Sequence, residues 1–300
     1  MKVHAEAKPL AGPLAGGRPG TTVVVEPLKV GDIHLAREMM IGPEGSLQKL
    51  KIGFSLARPG SWALVPCPAF LIRHPGAGAF IVDTGLHSSV SAKPAANMGR
   101  AIATFGRPQL EPGQDLPAQL RARGVDLRDI RLAVMTHLHF EHASGMAEFP
   151  NATFVLSAAE WDSATTEGTF RNGYRTEHYD YAFDYRTVAF DEGTTSYSTF
   201  GRTFDLFADG SVRLAYTPGH SAGHMSVICR LADRDFVIAG DAIYTHGQLT
   251  TDPLAPRPYD PHTYRRSLQE LRLFARQYPQ AVIVPGHDPE FWETLEARYE

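Results

Sequence analysis

Cysteine is scarce in this 300-residue chain: Cys67 and Cys229 are the only two, far apart and each in an apolar context. A disulfide framework is therefore excluded, and buried free thiols are the expectation. Long apolar runs are missing as well. No stretch approaches the roughly 18 residues that a membrane-crossing helix needs. The start, Met1-Lys2-Val3-His4-Ala5-Glu6, lacks the uninterrupted apolar core of a secretory signal. A cytoplasmic protein with no membrane partner is the default expectation. Excess positive charge is also absent: 29 Lys and Arg against 33 Asp and Glu leave a formal charge of −4. That balance offers no electrostatic footprint for nucleic acid.

No repeat, long linker or second composition regime interrupts the chain, and 43% hydrophobic with 21% charged residues is globular composition. Residues 21–300 are expected to form a single domain. The first 20 residues are rich in Gly, Pro and Ala, and predict a mobile tail or an arm laid on another surface. Phe70-Leu71-Ile72 and Ala79-Phe80-Ile81-Val82 around a His-Pro-Gly turn read as a hairpin ending in Asp83. Leu116–Arg123, closed by Gly124, reads as a short helix. Strands are expected at Leu132–Met135, Phe154–Leu156, Val212–Tyr216, Met225–Cys229, Phe236–Ala239 and Ala281–Val284. Ser157 with Glu160 three positions on predicts a capping box opening a helix. Asp260-Pro261 opens the clearest helix, with Tyr264, Leu268, Leu271, Phe274 and Tyr278 on one face.

Histidine and carboxylate cluster just past these strands. Thr136-His137-Leu138-His139-Phe140-Glu141-His142 leaves the buried strand at Leu132 and carries three imidazoles and a carboxylate. Neutral imidazole and carboxylate bind borderline metals such as zinc at about 2.0–2.2 Å. His137 and His139 point the same way in an extended segment, and Glu141 and His142 then turn toward a second point, which suits two adjacent metals. His220 follows in a Pro-Gly turn, Asp241 ends another strand, and Pro285-Gly286-His287 repeats the Pro-Gly-His arrangement. His224, four positions after His220, reads as a buttress for the turn or as a group that orients a ligand. The remaining histidines have no such setting. Loops on one edge of a rigid sheet are where sites usually assemble.

Together these motifs resemble the metallo-β-lactamase superfamily, whose pattern is HxHxDH followed by a His, an Asp and a His. The segments THLHFEHASG, YTPGHSAGHMS, DAIYT and PGHD most resemble the N-acyl homoserine lactone lactonases. The resemblance runs from about residue 60 to the end. It implies an α/β fold, the four-layer αββα sandwich, and a site for two divalent ions, with zinc foremost and iron, manganese or cobalt also compatible. By position, His137, His139 and His220 would bind one ion, Glu141, His142 and His287 the other, and Asp241 would bridge them. Asp83 would organise the metal loop. The implied activity is hydrolysis of a small-molecule lactone or ester by attack of a bridging hydroxide. Tyr244, three positions after Asp241, would assist the developing oxyanion, and Glu141 or Asp241 would protonate the leaving alcohol.

Glu141 stands where the family pattern has Asp, and three outcomes are open. It ligates with a shifted backbone, it leaves the second metal weakly held, or it acts only as an acid. The aromatic stretch at about 165–200, from Phe170 and Tyr174 to Tyr197 and Phe200, is expected as a flap over the metals, or else as a satellite core. Some lactonases of this type are dimers, so this flap and the Met39–Phe54 region are candidate contacts of a homodimer. Competing readings are a thioesterase of the glyoxalase II type, a phosphoesterase or other ester hydrolase, and a degenerate scaffold that binds without catalysis.

Overall fold

Most strands of this chain bury both faces, and their alternate residues go to different cores. Phe70, Ile72, Phe80, Val82, Val134 and Val155 join one cluster, while Leu71, Ile81, Ala133 and Phe154 join another. The same alternation sorts Met225, Val227, Phe236 and Ile238 from Ile228 and Val237. A period of two with both sets apolar requires a covered sheet on either side. In the computed structural model, which describes residues 3–42, 58–168, 172–191, 194–251, 253–256 and 258–300, two such sheets lie face to face.

The first sheet has seven strands in the order β1-β7-β6-β5-β4-β3-β2. These are β1 (Ala7–Pro9), β2 (Val24–Ala36), β3 (Trp62–His74), β4 (Gly78–Val82), β5 (Leu132–Val134), β6 (Thr153–Ser157) and β7 (Asp184–Val188). Strands β4, β5, β6 and β7 are mutually parallel. The second sheet has six strands, β13-β12-β11-β10-β9-β8. They are β8 (Thr195–Tyr197), β9 (Phe200–Asp205), β10 (Val212–Tyr216), β11 (Met225–Arg230), β12 (Asp235–Gly240) and β13 (Val282–Pro285). The helices Leu116–Ala122 and Ala158–Thr166 supply Leu116, Leu120, Trp161 and Ala164 to the outer core of the first sheet. Pro261–Gln277 supplies Leu268, Leu271 and Phe274 to that of the second. The result is the four-layer αββα sandwich, and no helix among the described residues is long and apolar enough to cross a membrane.

Two expectations left as alternatives resolve to one form, and a third takes a different form. The opening residues lie along the protein as an arm, not as a free tail: Ala7–Pro9 pairs in parallel with β7, and the amides of Leu10 and Leu14 donate to the Thr187 and Leu206 carbonyls. Leu10 and Leu14 pack against the core between the sheets. Much of the aromatic stretch belongs to the scaffold instead of a flap. Tyr179 and Tyr185 are buried with Trp161, and Tyr185 itself sits in β7. Phe170, and the Met39–Phe54 region from residue 43 onward, lie outside the described residues. Ser157 caps its helix by accepting from the Glu160 amide, but the Glu160 carboxylate does not complete the capping box. It turns inward, because four buried donors await it there. Cys67 and Cys229 are both buried and free.

Candidate metal centre

The chemistry-bearing loops leave the strand ends of both sheets and meet over the seam between them. Thr136–His142 follows β5, with His139 as the N-cap residue of the short helix Phe140–Ala143. His220 follows β10, Asp241 follows β12 and His287 follows β13. Two features of the Pro-Gly-His loops fix these positions. Gly219 adopts φ +126°, and a Cβ there would overlap the backbone of Tyr264. A Cβ on Gly286 would overlap Asp241 Oδ1.

Two groups of converging ligand atoms result: His137, His139 and His220, and Glu141, His142, Asp241 and His287. Asp241 lies between them. Its Oδ1 is 3.3 Å from His142 Nε2, and its Oδ2 is 3.3 Å from both His220 Nε2 and His287 Nε2 and 4.0 Å from His137 Nε2. His139 Nδ1 and His220 Nε2 are 2.9 Å apart. Glu141 reaches the second group despite its extra methylene, with Oε1 3.7 Å from His287 Nε2.

Whether these residues suit a cation is decided by what they lack. His137 Nε2, Glu141 Oε2, His142 Nε2 and both Asp241 carboxylate oxygens are buried with no hydrogen-bond partner. The 3.3 Å approaches to Asp241 are close but misaligned for hydrogen bonding. Orphaned buried polar atoms are costly, and here several converge on one point. A divalent cation satisfies that arrangement, and the mixed imidazole and carboxylate set fits zinc, iron, manganese or cobalt.

Protonation follows the same crowding. Burial and the neighbouring imidazoles hold His137 well below the usual histidine range; for His220 burial leads and outweighs the Asp241 carboxylate. Burial also opposes protonation of His142, but the Asp83 and Asp241 carboxylates outweigh it and raise it well above that range. His287 follows suit: against burial, Asp241 and Glu141 push it up to about 10. Asp241 and Glu141 are held low in turn, because the imidazoles overcome the burial that would raise them.

The groups behind these residues are equally specific. Asp83, expected to organise the loop, accepts from the Thr136 amide at 2.8 Å, from Thr136 Oγ1 at 2.7 Å and from His142 Nδ1 at 2.8 Å. Its φ of +56° is strained for a residue with a Cβ, and those three bonds hold it there. His137 Nδ1 meets Thr136 Oγ1 at 3.0 Å, which turns Nε2 inward. His287 Nδ1 donates to the Pro66 carbonyl at 3.0 Å. His224 Nε2 accepts the Asp241 amide at 3.0 Å, so it orients the central carboxylate's loop.

Tyr244 stands beside both groups, its hydroxyl 3.4 Å from His220 Nδ1 and its ring 5.2 Å from that of His287. Burial, then Asp241, pushes its phenol far above the usual range, so it remains a donor. Sequence reading missed Gln248, whose Oε1 accepts the Tyr244 amide at 2.6 Å, and Tyr264, whose hydroxyl donates to the Asp241 carbonyl at 3.2 Å. Gln248 could have been found, since Thr245 with Gln248 three positions on has capping-box spacing and the structure forms that box; Tyr264 reads from spacing only as part of the apolar helix face. The centre floors a cleft of about 580 Å³ whose walls include Ile33, Leu35, Trp62, Ile102, Phe105 and Tyr259. Of the aromatic stretch, Tyr174 reaches this cleft, its ring 4.9 Å from that of His139.

The chain matches the family model of the metallo-beta-lactamase superfamily over residues 62–287. It is 31% identical over 233 residues to the N-acyl homoserine lactonase AttM of Rhizobium radiobacter, covering 76% of this chain and 84% of that one. It is 27% identical to the probable metallo-hydrolase Rv2300c of Mycobacterium tuberculosis, over 72% of this chain and 73% of that one. Among solved structures, it superposes with a TM-score of 0.72 on an N-acyl homoserine lactone hydrolase that has N-hexanoyl-L-homoserine bound at its catalytic metal centre. That pair is 20% identical and covers 94% of this chain and 98% of that one.

Proposed function

The chain belongs to the metallo-beta-lactamase superfamily, and from that premise we propose that this hydrolase opens the ring of N-acyl homoserine lactones or related lactones at a two-metal centre. The observation that carries this reading is Tyr244: a protonated phenol beside the shared carboxylate Asp241, on the floor of an apolar-walled cleft. The similarity to a lactonase over three quarters of the chain supports it.

In this reading His137, His139 and His220 would hold one divalent ion and Glu141, His142 and His287 the other, with Asp241 serving both. Bound ions of this kind, zinc foremost, supply a nucleophile from water at neutral pH and polarise a carbonyl oxygen. Tyr244 donates a hydrogen bond to the oxygen on which charge develops, an interaction whose loss typically costs about 10²–10³ in turnover. Water oxygen joins the carbonyl carbon, the ring C–O bond breaks, and the departing oxygen takes a proton. In this reading the proton reaches it through Glu141 or Asp241. The product is an open-chain hydroxy acid. The apolar walls of the cleft, Ile33, Leu35, Trp62, Ile102 and Phe105, suit an acyl chain.

The test is acid release from acyl homoserine lactones, simple γ- and δ-lactones, esters, thioesters and phosphoesters, with protein loaded with zinc, cobalt or manganese. Chelator-sensitive ring opening is expected. Turnover of thioesters or phosphoesters with silence on every lactone would transfer the assignment to that class. Bound metal without turnover of any would leave a binding scaffold.

A further inference from the structure

Glu160 is fully buried, yet its carboxylate faces away from its own helix terminus. Oε1 accepts the Leu138 amide at 2.9 Å and the Tyr174 hydroxyl at 3.0 Å. Oε2 accepts the Ser221 hydroxyl at 2.6 Å and the Gly223 amide at 3.1 Å. Leu138 lies between His137 and His139, and Ser221 follows His220 directly. One carboxylate thus fastens the two loops that carry all three residues of the first group. Through Tyr174 it also holds the ring that packs on His139. None of its four partners comes from the stretch Phe140–Ala143 or from the Asp241 and His287 loops.

We propose that Glu160 is a positioning residue that sets metal affinity at the His137–His139–His220 group and leaves the other group largely untouched. The proposal rests on the two-metal reading above. All four neighbours approach as donors, and a carboxylate offers acceptors alone. In Glu160→Gln one oxygen becomes an NH₂ group, so one oxygen position must present donor to donor. On the Oε1 side the Leu138 amide is left unpaired; on the Oε2 side the Gly223 amide is, since only the serine hydroxyl can turn to accept. Either way one of the two loops loses its tie while the side chain keeps its size. Outer residues that orient ligands in this manner typically govern about 10–100-fold in metal affinity.

The experiment is chelator competition on cobalt-loaded protein, giving two binding constants, with proton NMR of the cobalt-shifted imidazole N–H signals to assign them. Three histidines lie in one group and two in the other. Glu160→Gln is expected to weaken one constant by about 10–100-fold, and the signals lost at limiting cobalt are the set of three. Asp83→Asn is the comparator. Asp83 touches His142 directly and His137 through Thr136, so that variant should weaken both constants. If the parent protein binds no cobalt, the two-metal reading fails and takes the proposal with it. If the parent binds two ions and Glu160→Gln loses neither, or loses both equally, the proposal alone is overturned. Should Glu160→Gln not fold, Ser221→Ala removes a single bond to Oε2. A smaller loss confined to the same set supports the proposal, and unchanged constants overturn it.

Discussion

Loading the metal-free protein with a divalent ion should expel protons, and the crowding in the second group indicates how many. His142 is raised well above the usual histidine range and His287 lies at about 10, so both carry a proton at pH 7.5. Asp241 and Glu141 are held low and are ionised there. His137 and His220 are held low and are already neutral. A ligating nitrogen must surrender its proton, so filling the second group displaces about two. For His287 the gap from pH 7.5 to about 10 corresponds to about 3 kcal/mol, at about 1.4 kcal/mol per pH unit. A raised pKa favours the proton-bound, metal-free form at low pH. Apparent affinity therefore weakens as pH falls and strengthens as pH rises toward that value, by up to about tenfold per pH unit for each proton displaced. Titration calorimetry at pH 7.5 in buffers of different ionisation enthalpy reads the number directly. About two protons, or one more if bound water also ionises, is the expected slope. A slope of zero would show both imidazoles to be neutral before metal arrives and would refute this account of the cluster.

Further predictions concern single side chains. Tyr244→Phe should lower kcat by about 100-fold on the best lactone while metal content by mass spectrometry stays at the parent value; undiminished kcat contradicts the oxyanion role. Glu141→Asp draws the carboxylate back by about 1.5 Å, one C–C bond, and should reduce occupancy of the second site. A rise in occupancy would mean that the longer side chain is a handicap. Gly219→Ala should lower the denaturation midpoint by the equivalent of roughly 1–3 kcal/mol, since its Cβ meets the Tyr264 backbone at positive φ. An unchanged midpoint would show that the loop yields freely.

The sequence was legible where one physical signal dominated. The apolar runs at Leu132–Met135 and Phe236–Ala239 hold strands β5 and β12, and Asp260-Pro261 opens a helix whose cap accepts from the His262 and Thr263 amides. The ligand candidates stand at strand ends, and the packing of two sheets gathers them although residues 137 and 287 are far apart in sequence. Glu160 was misread because helix-start spacing is a local rule, whereas its partners at Leu138, Ser221 and Gly223 are tertiary. The arm could be named only as an alternative to a mobile tail, because Ala7–Pro9 has no periodicity of its own; pairing with β7 alone makes it a strand. Strand β7 was hidden among aromatics that read equally as a flap or a satellite core, and Tyr185 serves the core.

That arm also determines how the larger sheet ends. Without β1, the five residues of β7 would present an open row of amides and carbonyls, a template on which a foreign strand could grow. Three residues of the chain's own beginning occupy the row, and Pro9 closes it with a residue that has no amide hydrogen to offer. The new border is too short and too poor in donors to recruit another neighbour. Sequence that looks featureless thus acts as insulation, keeping the sheet finite in a crowded solution.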